Sequence, residues 1–192
     1  MNGGRDDDNC DHDFLSLQPS IHRAGNDMTF HQYEFADVTK YLHHRPPYLL
    51  VDRVMSCGDL EVVTEKRVTG EEFFLPGHFP GAPILPGAMM QEMTTQSAGI
   101  LIAARYNPMS EFDTSDPHFN RYALGVLVRI HQARYYTFAR PGDVLTCTVT
   151  LQERLEQLFD FRAAITINGR AIMRNAFQLT NIESSVLTGD RP

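Results

Sequence analysis

The 192-residue sequence has no run of lysine or arginine residues. Its formal net charge is −7 at pH 7, and within residues 1–29 six aspartates outnumber two arginines. Proteins that bind nucleic acid mainly through its phosphates need a basic surface. The acidic balance therefore argues against nucleic acid as the main partner.

Cysteine is also scarce. The three cysteines, Cys10, Cys57 and Cys147, lie far apart and match no zinc-ligand spacing. We therefore expect no metal site, and we expect reduced thiols of the kind found in cytosolic proteins. Cys147 should pack as a small apolar residue.

Long apolar runs are absent as well. The longest, around residues 98–104, falls far short of the roughly 20 residues that a membrane-spanning helix needs. The first residues are acidic, whereas a secretory signal is basic and then apolar. These patterns predict a cytoplasmic protein without a membrane partner.

What remains is an ordinary globular composition, with 42% hydrophobic residues in a chain long enough for one domain with a sizeable core. Residues 1–29 are polar and lack periodicity, which predicts a flexible acidic N-terminal tail. The globular domain is predicted to span residues 30–184, and residues 185–192 are expected to form a flexible C-terminal tail.

The periodicity of the domain predicts an α+β fold. Helical spacing predicts a short helix over residues 33–44 and a long, buried helix over residues 88–105 that opens at Pro86-Gly87. Alternation predicts strands over residues 49–55, 60–68, 122–134, 144–151, 159–167 and 170–182. Asn168-Gly169 is the signature of a two-residue hairpin turn. Together these elements indicate a curved antiparallel sheet wrapped around a long central helix.

One histidine and one glutamate suggest chemistry. His78 lies among the glycines and prolines of residues 77–87, which fix an irregular backbone path. Glu92 lies about a turn and a half into the buried helix, where an ionised carboxylate is costly without a partner. Taken singly, His78 could be a hydrogen-bonded surface residue, and Glu92 could belong to an exposed stripe of the helix.

The neighbours of Glu92 on the helix favour a site. The residues at helical spacing from it are small or polar, which predicts a narrow groove for an elongated apolar ligand: Ala88, Gln96, Gly99 and Ala103. Gln96, four residues on, can hydrogen-bond the carboxylate. The free N–H groups at the start of the helix could polarise a carbonyl. A base, an acid and a polarising helix end suggest removal of an α-proton and loss of a β-substituent.

Three stretches carry a resemblance to a known family: residues 42–54 (LHHRPPYLLVDRV), residues 77–92 with GHFPG and Pro86-Gly87, and residues 133–143 with Ala133-Arg134 and PGD. From about residue 33 to residue 182 the chain resembles the β-hydroxyacyl-acyl carrier protein dehydratases of type II fatty acid synthesis, of the FabZ type, which have the hotdog fold. The separation of fourteen residues between His78 and Glu92 matches the catalytic pair of that family.

The resemblance implies a role for each matching residue. His78 looks like the base that removes the C2 proton of a 3-hydroxyacyl thioester, and Glu92 resembles the acid that helps the C3 hydroxyl leave as water. Gly87 matches the residue whose N–H holds the thioester carbonyl, and Gln96 matches one that orients the acid. The carbonyl of Ile84 resembles the group that fixes the tautomer of the histidine.

The same resemblance implies substrate and partners. Phe79, beside His78, is expected to contact substrate, and Glu92 in place of aspartate favours dehydration without isomerisation. No cofactor is implied. The expected partners are a thioester of acyl carrier protein or coenzyme A and a second copy of the chain, in a homodimer with shared active sites. The resemblance also suggests assembly into a trimer of dimers.

Two other functions fit the same fold. An acyl thioesterase would not need His78 at this position. A non-catalytic acyl-binding subunit would have no need of a buried Glu92 that faces His78. The stretch 105–120 is longer than the corresponding family link, and residues 135–140 are more aromatic, so the acyl length stays open. The choice of carrier stays open too, with four arginines as candidates for its docking: Arg121, Arg129, Arg134 and Arg140.

Overall fold

A six-stranded antiparallel sheet forms the body of the protein in a computed structural model that describes residues 29–116 and 120–189. The strands are β1 (Arg53–Cys57), β2 (Glu61–Arg67), β3 (Tyr122–Tyr135), β4 (Val144–Leu155), β5 (Leu158–Ile167) and β6 (Arg170–Glu183). Their order in the sheet is β1-β2-β4-β5-β6-β3, so β1 and β3 are the two edges. The predicted strands over residues 60–68, 122–134, 144–151, 159–167 and 170–182 are confirmed.

Alternation gives the sheet one apolar face. In β4 and β5 every second side chain is almost fully buried: Leu145, Cys147, Val149 and Leu151, and then Phe159, Phe161, Ala163 and Ile165. β5 and β6 are joined at Asn168 and Gly169, which both have positive φ, 50° and 79°. A two-residue hairpin turn matching the twist of its strands requires this conformation, so the predicted hairpin is confirmed.

The long helix α1 (Gly87–Arg105) packs across this apolar face. Nearly all of its residues from Met90 onward are buried, as the sequence predicts. Two polar contacts link it to the sheet: the hydroxyls of Ser97 and Thr64 lie 2.8 Å apart, and Asn175 Nδ2 donates to Gln91 Oε1 over 2.8 Å. Buried hydrogen bonds of this kind specify one rotation of a helix on its sheet. The α+β hotdog architecture predicted from the sequence is confirmed.

The predicted helix over residues 33–44 is wrong. Only a single 3₁₀ turn forms there, at Val38–Lys40, and the Asp37 side chain caps it by accepting from the N–H of Thr39. Upstream, the N–H of Tyr33 donates to the carbonyl of Ala104 at the end of α1 over 2.9 Å. The apolar spacing of this segment reflects burial against α1, while its backbone bonds to other elements.

The first predicted strand is displaced. β1 begins at Arg53, not near residue 49, because the preceding backbone is held elsewhere: the N–H of Leu50 donates to the side chain of Gln96. At the other end of the chain, residues assigned to a flexible tail from 185 onward include a short helix, α2 (Ser184–Thr188). The predicted N-terminal tail over residues 1–29 lies almost wholly outside the described residues.

The described cysteines are free thiols. Cys147 is fully buried, and burial raises its pKa to about 12, so it packs as a neutral, small side chain as predicted. Neither helix within residues 29–116 and 120–189 combines the length and apolar character that crossing a bilayer demands. In the same part of the chain no three His, Cys, Asp or Glu side chains are grouped closely enough to hold a metal ion.

Candidate active site

Glu92 is a carboxyl group that is mostly withdrawn from solvent. It lies on α1, and its side chain is 18% exposed. Burial raises the pKa of Glu92 above its ordinary value, while hydrogen bonds from the Gln96 amide and the Tyr48 hydroxyl lower it by less. The net effect is a carboxyl group that keeps its proton to a higher pH than an exposed glutamate does, which suits a general acid.

Gln96 holds Glu92 in one orientation. Its Nε2 donates to Glu92 Oε1 and to the carbonyl of Tyr48, both over 2.9 Å, and its Oε1 accepts from the N–H of Leu50 over 2.8 Å. Because a backbone N–H can only donate, the Leu50 contact determines which end of the amide is oxygen. The NH₂ group must therefore face Glu92, as the sequence analysis expected of Gln96.

His44 is a neighbour of Glu92 that was not among the predicted site residues. Its Nε2 lies 3.7 Å from Glu92 Oε1, and its ring stacks on that of Tyr48 with centroids 5.8 Å apart. Burial lowers the pKa of His44, and the nearby His43 and Arg45 lower it further, which favours the neutral ring. His44 lies in the stretch 42–54 that carries the family resemblance, and this position was the one sequence signal that could have pointed to it.

A cavity of about 390 Å³ opens beside Glu92. Its walls come from residues 41–48, from one face of α1, from the first residues of β3 and from α2. Of the predicted groove, Gln96 and Gly99 line this cavity. The other two residues do not, among the side chains described: Ala88 is exposed at the start of the helix, and Ala103 is fully buried in the core.

Two glycines bring β3 close to the helix at the cavity. Gly125 has φ +81°, and a Cβ built on it would lie 3.0 Å from the Cα of Gly99. A side chain at Gly125 would strain its own backbone and collide with the backbone of α1. Glycine is therefore required where the cavity wall touches the helix.

His78 lies in the irregular segment before α1 and is partly buried. Its Nδ1 is 3.0 Å from the carbonyl oxygen of Ile84. Because a carbonyl only accepts, Nδ1 of the neutral ring carries the proton, and Nε2 is left with a lone pair that can take one. Phe79 meets this ring edge-on at 4.6 Å and has φ +56°, a conformation that is rare for an aromatic residue.

The start of α1 leaves a backbone donor free. The N–H groups of Met89 and Met90 both donate to the carbonyl of Pro86, whereas the N–H of Gly87 has no acceptor among the described residues. The ring of Tyr135 lies against Gly87, so a Cβ at Gly87 would come within 3.0 Å of it. A free N–H at the positive end of a helix is suited to holding a carbonyl oxygen.

The single chain does not bring His78 and Glu92 into one cavity. Glu92 lines the cavity beside α1, and His78 is absent from its walls as far as residues 29–116 and 120–189 show. Each residue has its own local partner, Ile84 for the histidine and Gln96 for the glutamate. Within one chain the histidine and the glutamate are thus held apart, each oriented by its own neighbour.

The sequence is similar to a known family and to curated dehydratases. A family model described as a FabA-like domain matches residues 42–176. The 3-hydroxyacyl-[acyl-carrier-protein] dehydratase FabZ of Cupriavidus metallidurans is 34% identical over 143 residues, 74% of this chain and 89% of that protein. The FabZ of Coxiella burnetii is 35% identical over 133 residues, 69% of this chain and 87% of that protein.

Among solved structures, the dehydratase heterocomplex ApeI:P from Xenorhabdus doucetiae matches with a TM-score of 0.67 and 22% identity, covering 81% of this chain and 97% of that one. At that identity the likeness supports the fold alone. The family match extends over well over half of the sequence and includes His78, Gly87, Glu92 and Gln96. The chain therefore belongs to the FabA-like domain family, and its curated relatives there are FabZ dehydratases.

Proposed function

We propose that this protein is a 3-hydroxyacyl-[acyl carrier protein] dehydratase, a hydro-lyase that removes water from a (3R)-3-hydroxyacyl thioester to give the trans-2-enoyl thioester in type II fatty acid biosynthesis. The observation that carries the proposal is Glu92: a largely buried carboxyl group with a raised pKa, oriented by Gln96, that lines a cavity of about 390 Å³. The family relationship supplies the substrate class.

His78 is the base in this proposal. With its Nδ1 proton held by the carbonyl of Ile84, Nε2 accepts the proton from C2 of the substrate. The electron pair of the broken C–H bond forms the double bond between C2 and C3. The Ile84 carbonyl also favours the imidazolium that results, because Nδ1–H then donates more strongly.

Glu92 is the acid. Its proton passes to the C3 hydroxyl, the C–O bond breaks, and water leaves. The carboxylate that remains is stabilised by the NH₂ group of Gln96 over 2.9 Å. The next cycle needs Glu92 reprotonated and His78 deprotonated, so the two residues return to their starting states by exchange with water.

The thioester carbonyl would lie at the start of α1. Removal of the C2 proton places negative charge on the carbonyl oxygen, and the free N–H of Gly87 is positioned to accept that charge by hydrogen bonding. Phe79, next to the histidine and 60% exposed, would cover the substrate near C2. No metal or organic cofactor is required for these steps.

We further propose that the site is completed in a homodimer, with His78 from one chain and Glu92 from the other. Edge strand β3 supports this, because most of its length is exposed and it carries large apolar side chains at the surface: Leu127, Val128, Ile130 and Tyr135. Unpaired apolar edges of this length are normally covered by another chain. Assembly of three such dimers is a further expectation.

Acyl carrier protein is the proposed carrier, in preference to coenzyme A, and the cytoplasm is the proposed location. The curated relatives are named for acyl-carrier-protein substrates. Of the candidate docking arginines, Arg121 pairs with Glu183 at 3.6 Å and is partly neutralised, whereas Arg140 rests on the ring of exposed Phe138. Arg140 is therefore the better candidate for contact with an acidic carrier.

The test is an assay of the purified protein with trans-2-enoyl and 3-hydroxyacyl thioesters, on both acyl carrier protein and coenzyme A. We expect reversible change of the enoyl absorbance without release of free thiol, and faster turnover on acyl carrier protein. Release of thiol without hydration would replace the proposal with a thioesterase. Binding without either reaction would indicate an acyl-binding subunit.

A further inference from the structure

The C-terminal helix α2 (Ser184–Thr188) forms part of the cavity that contains Glu92. Three of its residues, Ser184, Leu187 and Thr188, line that cavity. The FabA-like match ends at residue 176, so α2 lies outside the part of the chain that defines the family. One wall of the cavity is therefore a feature of this chain's own C-terminal segment.

The fold places α2 toward the end of the cavity away from the acid. β6 ends beside the first residue of β3, with Glu183 opposite Tyr122, and the N–H of Ser184 donates to the carbonyl of Arg121 over 2.9 Å. The first residues of β3 in turn meet α1 at Gly99. Gly99 is seven residues beyond Glu92, which is about 10 Å along a helix.

Leu187 is the most exposed of the large apolar residues that line the cavity, at 60%, against 42% for Tyr48 and 37% for Leu127. A side chain that closed a blind cavity would be packed against the rest of the protein. An apolar side chain that borders a cavity and still faces solvent can be buried further when an apolar ligand lies over it. Leu187 therefore has apolar surface at the cavity that a ligand can cover.

We propose that Leu187 of α2 is a specificity residue that binds the distal methylene groups of the acyl chain and so favours long-chain substrates. The inference rests on the proposed dehydratase function, which places C2 and C3 of the substrate beside Glu92. A four-carbon acyl group ends near Glu92. A twelve-carbon group extends past the two helical turns between Glu92 and Gly99 and reaches α2.

The expected size of the effect follows from the area that remains exposed. Burial of the rest of the Leu187 side chain by the acyl chain corresponds to about a tenfold gain in kcat/KM for a chain long enough to reach it. Discrimination of this order is what contacts with one or two methylene groups normally supply.

The experiment measures kcat/KM for twelve-carbon and four-carbon 3-hydroxyacyl thioesters and takes their ratio. Leu187→Ala should lower the ratio about tenfold, and Leu187→Gln should lower it at least as far. Val186→Ala is the matched control. Val186 lies on the same helix and is 70% exposed, and it is not among the described residues that line the cavity. It should leave the ratio unchanged.

A ratio that stays constant or rises in Leu187→Ala overturns the inference, as does an equal fall in Val186→Ala. Circular dichroism and thermal melting of each variant show whether the fold is retained, and the short-chain rate of the same sample corrects for the fraction of active protein. If the wild-type protein turns over neither chain length, the proposed function has failed. If the wild-type protein turns over both chain lengths but Leu187→Ala leaves the ratio of their kcat/KM values unchanged, only the role of Leu187 has failed.

Discussion

Complementation between two inactive variants tests whether one site draws on two chains. Within one chain, Glu92 lines the cavity beside α1, whereas His78 is held by Ile84 outside it. We expect His78→Ala and Glu92→Gln each to reduce kcat at least about a hundredfold, because each removes one partner of general acid–base catalysis. When the two variants are unfolded together in equal amounts and refolded, random pairing makes half of the dimers mixed.

The magnitude follows from the twofold symmetry. A mixed dimer has two sites, one with both residues intact and one with both replaced, so the mixture should regain about one quarter of wild-type activity. The assay is the enoyl absorbance assay above, with subunit exchange verified by mass differences between tagged chains. His78→Ala mixed with a chain carrying both substitutions is the control and should stay at background. An exchanged mixture that also stays at background would refute a shared site.

Two further predictions concern the acid and the helix contact. Gln96→Leu should raise the pKa of Glu92 and move the alkaline limb of the kcat/KM pH profile to higher pH, because a hydrogen bond that favours the ionised carboxylate is lost. Gln91→Leu, on the same helix but bonded to the sheet, should leave that limb in place. Gly125→Ala should reduce the free energy of unfolding more than Gly169→Ala does, and the difference between the two losses should be about 1 kcal/mol or more. Both glycines have φ near +80°, but only Gly125 abuts the backbone of α1. Urea denaturation measures the difference, and equal losses would contradict the close contact.

The sheet and the long helix could be predicted because their signals are local. Alternation in residues 144–151 and 159–167, the Asn168-Gly169 dipeptide and the proline-free apolar run after Pro86 each determine their own element. Residues 33–44 could not be read in this way. Their apolar spacing is that of a helix, but Tyr33 bonds through its N–H to α1 and the carbonyl of Thr39 accepts from the Thr114 side chain, which sequence periodicity does not encode.

The same difference between local and long-range contacts decides which parts of the candidate site could be predicted. The contacts of His78 with Ile84 and of Glu92 with Gln96 join residues four to six positions apart, so the spacing and the family resemblance together predicted them. His44 approaches Glu92 across 48 positions, and α2 reaches the cavity from the far end of the chain. A five-residue helix is also too short to leave a periodic pattern. Long-range packing, not residue chemistry, was the missing information.

The polar residues around Glu92 show how one carboxyl group serves both fold and chemistry. Since burial raises its pKa, the folded chain binds this proton more tightly than the unfolded chain does, and the contribution of Glu92 to stability is lost as pH rises through the folded-state pKa. Full solvation would remove that loss but would return the pKa of Glu92 to its ordinary value, so the group would give up its proton at a lower pH. The amide of Gln96 and the hydroxyl of Tyr48 supply only part of the solvation that water would. The carboxyl group therefore keeps its proton to a higher pH than an exposed glutamate does, while Gln96 and Tyr48 limit that rise in pKa.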